Sequence, residues 1–454
     1  MRTEDLISNV NGCHWPAIYA PAVSRLLATL WQLDQSQWWS PEQLRDFQFA
    51  QLRALVDHAA VNCPFYRDAF AAVGYEAGEP ITPDNWRQLP VLTRDQLQQQ
   101  YEAIKAQPSP PHHGRVNETQ TSGSTGQPVR VMSTDPTRLI WQAMTLREHF
   151  WHKRDHAGAL CAIRPRSGPI MTEPIDTPSW GPPVATIRRT GAGRLVDVRL
   201  DPQRQLDLIM QCDPAYIITL PSTIEAITQL AIERNQRPAN LRQISTYAER
   251  LRLEVRDVVR QAWGVSVADM YSAQEVGYIA LQCPHHEHYH MASESVYMEV
   301  VREDGLPCAA GETGRVLLTS LHNFATPLIR YEIRDYAELG EPCDCGRGLP
   351  VIKRIVGRRR NLITLPDGTR YWPVLYASSW SDIAPIRQLQ LVQKAPDHFL
   401  ARIVIDRELT DDQRTRLVAA LRESLGYPFT FDFQYESRLM RGLNGKFESI
   451  MTEV

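Results

Sequence analysis

A large α/β domain built from parallel strand–helix units, followed by a small α+β domain, is the architecture that this sequence predicts. Three observations predict it. The chain has 454 residues, whereas single hydrophobic cores stop growing at roughly 250–300 residues. Between residues 157 and 281 short apolar runs alternate with amphipathic helical patterns, as parallel α/β units require. The last stretch, about 100 residues, carries a strand–helix pattern of its own and is long enough for a compact unit. The expected division is 1–357 and 358–454.

The elements follow in chain order. Leu26, Leu27, Leu30 and Leu33 recur at helical spacing, and residues 24–72 read as helical. Ser40, with Glu42 and Gln43 close behind, is a candidate N-cap, and Pro64 is expected to stop the run. Residues 80–100 alternate prolines with polar residues and read as a connecting segment. A second helix is expected over roughly 135–153, after a Gly-rich loop. AYIITL (215–220) reads as a strand, 222–235 as a helix, 252–264 as a helix and VSVADMY (265–271) as a strand. Strands then dominate from 288 to 356, in YMEVV, GRVLLT and TPLIRYEI. The small domain follows as QLQLVQ, FLARIVID, the helix DDQRTRLVAALRESLG and TFDFQY.

Composition excludes several functions. Forty-nine Lys and Arg against 52 Asp and Glu leave a net charge of −3, without the basic excess of a nucleic-acid binder. No apolar stretch approaches the about 18 residues of a membrane span. The first residues, MRTEDLISNVNGCHWP, lack the apolar centre of a secretion signal. Eight cysteines in so long a chain are too sparse for a disulfide framework, so a cytoplasmic protein with reduced thiols is expected.

Two local patterns carry chemistry. In QTSGSTGQPVRV (120–131), Thr121, Ser122, Ser124 and Thr125 surround Gly123 and Gly126. Hydroxyls and backbone N–H groups in such a loop can wrap a polyphosphate, because glycine lets the backbone come close. The lysine and glycine spacing of the P-loop are missing, and a plain Ser/Gly linker has the same composition. The second pattern is Cys343 and Cys345 as C-x-C, with Cys283 before a loop holding His285, His286, His288 and His290. Three thiols and one imidazole suit tetrahedral Zn²⁺ in a closed, structural site. Which histidine completes the set is open on the residues alone.

Read together, five motifs stand in a telling order: TSGSTGQP at 121–128, YSAQEVG at 271–277, RYEIRDYAEL at 330–339, GRRRN at 357–361 and NGKF at 444–447. This succession resembles the adenylate-forming ligases, in particular the phenylacetate–coenzyme A ligase branch and its capsule-biosynthesis-like relatives. NCPFYRDAF (62–70) and CDCGRGLPVIKRIVGR (343–358) extend the similarity over almost the whole chain. The resemblance implies a large N-terminal adenylation domain and a small, mobile C-terminal one. It implies an ATP-dependent ligase that forms an acyl-adenylate, releases pyrophosphate and passes the acyl group to coenzyme A. An aromatic or arylacetic acid is the implied substrate.

The same resemblance assigns residues. The loop from Thr121 through Ser122, Gly123, Ser124 and Thr125 to Gly126 would hold the β- and γ-phosphates. Tyr271 would lie over the adenine and Glu275 would bind Mg²⁺, with Gln274 standing where many relatives have threonine. Asp335 and Arg358 would hold the ribose, and Arg334 stands where relatives often have glycine. Lys446 would bridge the attacking carboxylate and the α-phosphate. Tyr247, Ala248 and Glu249 would line the nucleotide and acyl floor. Cys283, His290, Cys343 and Cys345 would be the zinc ligands. Rival readings are transfer to an amine or a carrier-protein thiol, and a non-catalytic, zinc-stabilised nucleotide-binding protein. Oligomeric state is left open, a homodimer included.

Overall fold

The computed structural model describes residues 5–108, 110–120, 128–166, 168–358, 361–373, 380, 383–439 and 447–454. Thr121, Ser122, Gly123, Ser124, Thr125, Gly126 and Lys446 lie outside the described residues. The chain divides into two compact units, Met1–Ile355 and Val356–Val454. Among the described residues, no helix is long and apolar enough to cross a membrane.

The N-terminal helical stretch is three helices, Pro21–Ser36, Pro41–Asn62 and Pro64–Ala71. Pro64 opens the third helix, where the sequence predicts only a stop. A proline at the first helical position loses no hydrogen bond and arrives with its φ already helical. Ser40 caps the second helix as predicted, its side chain accepting from the Gln43 N–H while the Gln43 amide oxygen accepts from the Ser40 N–H. The segment 80–100 is also more ordered than its prolines suggest. It contains helices Pro83–Trp86 and Arg94–Gln99, each started by a threonine capping box, at Thr82 and Thr93.

The first unit is organised on one twelve-stranded sheet. Its parallel part comprises, in spatial order, Ser266–Ala273, Gln243–Tyr247, Tyr216–Thr219, Leu160–Arg164 and Gly193–Asp197. Helices Pro202–Cys212, Pro221–Glu233 and Leu253–Trp263 cover it. Leu206, Ile209, Ile224, Ile227, Val259 and Trp263 pack against Ile163, Val196, Ile217, Ile244 and Val267 in one core. The chain runs from Leu160–Arg164 to Gly193–Asp197 on one side, then returns to Tyr216–Thr219 on the other. Strand order therefore reverses at the end of Leu160–Arg164, and such a reversal opens a crevice outside the carboxyl ends of the strands.

Beyond Ser266–Ala273 the sheet continues antiparallel through Gly277–Gln282 and Tyr289–Met291. Val351–Arg358, Tyr331–Leu339, Thr313–Ser320 and Val296–Val301 complete that half. The predicted strand at 326–333 begins only at Tyr331, because Arg330 takes a left-handed backbone, φ +49°. There the Arg330 guanidinium is buried and donates to the carbonyls of Arg87 at 2.7 Å and Leu89 at 2.6 Å, and to Glu299 at 3.2 Å. Leu92 in turn donates its N–H to the Arg330 carbonyl. One buried cation thus ties the 87–92 segment to the start of the strand that carries Asp335.

The second unit is a four-stranded sheet in the order Thr430–Glu436, His398–Val404, Gln388–Ala395, Ile450–Thr452. Helix Asp411–Leu425 begins at a Thr410 capping box and ends at Gly426, which supplies the left-handed cap at φ +65°. Leu391, Phe399, Ile403, Leu417, Leu421 and Phe429 form its core.

Removing the buried Arg330 strands Glu299 without its counter-charge. Arg330→Met is expected to lower stability by roughly 3–5 kcal/mol, read as a fall in the urea midpoint with the slope unchanged.

Candidate active site

The site is built around the turn that joins Ser266–Ala273 to Gly277–Gln282. Gly277, at φ +109°, lets the chain reverse there. Tyr271 is the sixth residue of the incoming strand, and its ring is buried. Its phenol donates to the Asp335 carboxylate at 2.7 Å. Three strands separate these two in the sheet order, a spacing of about 19 Å in a flat sheet. A hydrogen bond across it requires the sheet to curl.

Glu275 lies buried in the turn. The Tyr331 hydroxyl approaches it at 3.5 Å and Arg94 Nη1 also at 3.5 Å, while Arg94 donates to that hydroxyl at 3.3 Å. Burial, reinforced by Glu275 close by, pushes the Tyr331 phenol up, so it remains a donor. Tyr331 and Asp335 lie on one strand, and their side chains meet Glu275 and Tyr271 respectively. The two acids are thus held from the same strand, Asp335 by its own backbone and Glu275 through Tyr331. Arg94 and Tyr331 escape sequence reasoning for different reasons. Arg94 falls in a segment dismissed as a connector, whereas the period-2 rule applied to RYEIRD would have found Tyr331.

Gln274 is exposed at the tip of the turn. Arg334 has φ +69°, so its position does require the conformation that glycine adopts most easily. Its guanidinium is anchored to Asp95 at 2.6 Å. Ala248 is likewise left-handed, φ +68°, directly after strand Gln243–Tyr247. The Glu249 carboxylate accepts from the N–H and hydroxyl of Ser222 at 2.9 and 3.1 Å, capping helix Pro221–Glu233. Arg358 belongs to the second unit, where its carbonyl accepts from the Trp372 indole at 3.2 Å. The hydroxyl-rich loop is carried on a hairpin whose strands, Asn117–Gln120 and Arg130–Ser133, pair Gln120 with Arg130.

Cys283, His290, Cys343 and Cys345 come together, with one candidate ligand atom from each lying within 4.8 Å of the others. The hairpin register does this for the first two, since His290 stands opposite Leu281 and the Cys283 N–H bonds the His288 carbonyl. Strand Val351–Arg358 pairs with His290 and delivers the Cys343–Cys345 turn that precedes it. Cys283 and Cys343 sulfurs are 4.0 Å apart, and Cys345 Sγ is 3.3 Å from His290 Nε2. Zn–S bonds of about 2.3 Å in a tetrahedron imply S···S edges of ~3.8 Å. Burial lowers the His290 pKa to about 4, and its Nδ1 lies 3.3 Å from the Leu349 carbonyl. A neutral imidazole fixed this way presents Nε2 to the cluster.

A buried carboxylate links this cluster to the strand that carries Tyr271. Asp269 accepts from the Thr246 hydroxyl at 2.6 Å and from the Tyr289 phenol at 2.7 Å. Burial raises its pKa to about 6, although both donors pull the other way.

No protein-family model matches the chain. The phenylacetate-coenzyme A ligase of Escherichia coli (strain K12) is 24% identical over 417 residues, 87% of this chain and 90% of that protein. The enzyme of the same name from Thermus thermophilus is 23% identical over 405 residues, 86% of this chain and 83% of that one. Among solved structures, 2-hydroxyisobutyryl-CoA ligase in complex with 2-HIB-AMP matches with a TM-score of 0.68 at 17% identity, over 89% of each chain. The fold is therefore that of the adenylate-forming ligases, and the sequence similarity runs along nearly the whole chain.

Native Asp269 holds its proton more tightly than the unfolded chain does. Its contribution to stability accordingly falls as pH rises from its ordinary value of 3.8 through the folded value of about 6. In urea melts, the stability difference between Asp269→Asn and the parent chain is expected to shift toward the variant by roughly 2 kcal/mol between pH 4 and pH 7.

Proposed function

We propose that this chain, which resembles the phenylacetate–coenzyme A ligases along nearly its whole length, is an ATP-dependent, AMP-forming carboxylate–coenzyme A ligase. The observation that carries the reading is the buried Tyr271–Asp335 bond, with Glu275 held from the same strand by Tyr331. In the first step a carboxylate oxygen attacks the α-phosphorus of ATP, and the bond to the bridging oxygen breaks to release pyrophosphate. In the second the coenzyme A thiol attacks the acyl carbon and AMP leaves.

The chain's own groups divide this work. Tyr271 offers its ring to the adenine, while its hydroxyl holds the Asp335 carboxylate in place. Asp335 accepts from the ribose hydroxyls, a task suited to a group with two oxygens side by side. Glu275 would supply a carboxylate for Mg²⁺, which would neutralise charge on the triphosphate; Arg94 and Tyr331 fix the orientation of that carboxylate. The Thr121–Gly126 loop would cradle the outer phosphates, and Arg358 would add a ribose contact. Lys446 would stabilise the negative charge that builds as the carboxylate meets the α-phosphate. An aromatic or arylacetic acid is the proposed substrate class.

The direct test is carboxylate-dependent exchange of pyrophosphate into ATP, over aryl, arylacetic, fatty and amino acids. Exchange is expected with one acid class, and Lys446→Ala should slow it by at least about 100-fold while ATP still binds. Exchange without coenzyme A thioester formation would move the acceptor to an amine or carrier thiol. Silence over the whole panel would sink the ligase reading.

Cys283, His290, Cys343 and Cys345 fit Zn²⁺ in donor set and spacing. Four protein ligands leave no open position, so the ion would staple the Cys283 hairpin to the Cys343–Cys345 turn and take no part in the chemistry. Elemental analysis should find one zinc per chain, and Cys345→Ser should lose most of it together with several degrees of thermal midpoint.

A further inference from the structure

Arg164 is the last residue of Leu160–Arg164, the strand at which the order of the parallel sheet reverses. Its neighbour Ile163 is fully buried, whereas Arg164 itself is exposed in the crevice that such a reversal opens. The guanidinium carbon lies 5.6 Å from the centre of the Tyr247 ring. Tyr247 ends the strand two places away, beyond Tyr216–Thr219, so Arg164 reaches across the tip of the strand between them. It therefore lies beside the turn that begins with Ala248 and Glu249.

No acid among the described residues takes this cation. The Arg164 side chain makes no hydrogen bond or ion pair there. Two acids that end or follow neighbouring strands are engaged already: Asp197 with Arg199 at 2.5 Å, and Glu249 with Ser222. Arg166, two residues on, also makes no hydrogen bond or ion pair among the described residues. Water solvates the guanidinium while the crevice is open. A ligand that fills the crevice removes that water, and a neutral ligand would leave a desolvated charge without a partner.

Resting on the ligase reading, we propose that Arg164 selects carboxylic acids carrying a second anionic group, which it binds while the first carboxylate reacts. The reacting carboxylate is a poor partner for a fixed arginine, because its charge disappears when the acyl–phosphate bond forms. An arginine that held it would favour the ground state and be left unpaired in the product adenylate. The second anion keeps its charge through both steps. The planar fork of the guanidinium suits a carboxylate, a sulfonate or a phosphate, while Tyr247 orients it by stacking.

The test compares pyrophosphate exchange for matched pairs: phenylacetate with 4-carboxyphenylacetate, benzoate with isophthalate, and butyrate with glutarate. The parent chain should favour the dianionic member of at least one pair by about 10- to 100-fold in kcat/KM. Arg164→Gln should collapse that ratio through KM for the dianionic acid, and Arg164→Lys should restore part of it, with KM for ATP and coenzyme A unmoved. Exchange with neutral-tailed acids and no preference for their dianionic partners would overturn the inference and leave the ligase standing. A loss in Arg164→Gln that falls equally on every acid, or on ATP or coenzyme A, would overturn it too. If no acid of either kind supports exchange, the inference falls together with the ligase reading. The parent-chain comparison needs no variant to fold.

Discussion

Carboxylates can be buried only where donors meet them, and in the first unit the donors arrive because the sheet curls. Tyr271 and Asp335 belong to strands with three others between them, yet they share a hydrogen bond. The curl folds the antiparallel half of the sheet back over the turn at Glu275. Tyr331 can then serve Glu275, and the 87–92 segment can dock on the edge of the Tyr331 strand, which puts Arg94 beside the same carboxylate. Flatten the sheet and two acids, Asp335 and Glu275, lose their partners at once. The curl is in turn stabilised from outside by Arg330, whose buried charge is met by two carbonyls and Glu299.

Much of this was legible from sequence, and the parts that were not have separate physical causes. The strands at 215–220 and 265–271 stand out because a parallel strand is buried on both faces and reads as a continuous apolar run. Glu275 and Asp335 stand out through the order of motifs along the chain. Arg94 and its helix do not, because that helix is one short turn and a half marked only by its Thr93 capping box, too brief for a periodic apolar pattern. Hairpin register sets His290 opposite Leu281 and groups it with the three cysteines, and no spacing rule for a loop supplies that. Arg334 is the reverse case. Its sequence position suggests an altered turn, but the backbone keeps the left-handed form and the side chain is tied to Asp95.

The aromatic and cationic residues of the N-terminal helices serve the same architecture. Arg347, between the Cys343–Cys345 turn and strand Val351–Arg358, stacks on Trp151 at 4.4 Å and on Trp38 at 4.9 Å. Gly348 next to it has no room for a side chain, since an added Cβ would meet the Trp39 carbonyl oxygen. The cysteine turn is thereby pressed onto the turn between the first two helices and onto Trp151, as well as paired into the sheet. Asp269 closes the circuit from the other side, bonding Thr246 on one strand and Tyr289, beside His290, on another. Hydrogen bonds through Asp269 thus connect the strand that leads to Glu275 with the strand that carries His290.

The closeness of those cysteines carries a liability. Cys283 and Cys343 sulfurs lie 4.0 Å apart, with Cys345 part of the same cluster, so only a small movement separates them from a disulfide bond of about 2.05 Å. A bound ion would keep the thiolates occupied. A chain synthesised or stored without one would carry three neighbouring nucleophiles toward air and peroxide. Its shelf life would then be a matter of oxidation chemistry and handling history, even if the Tyr271–Asp335 bond and the rest of the sheet were intact.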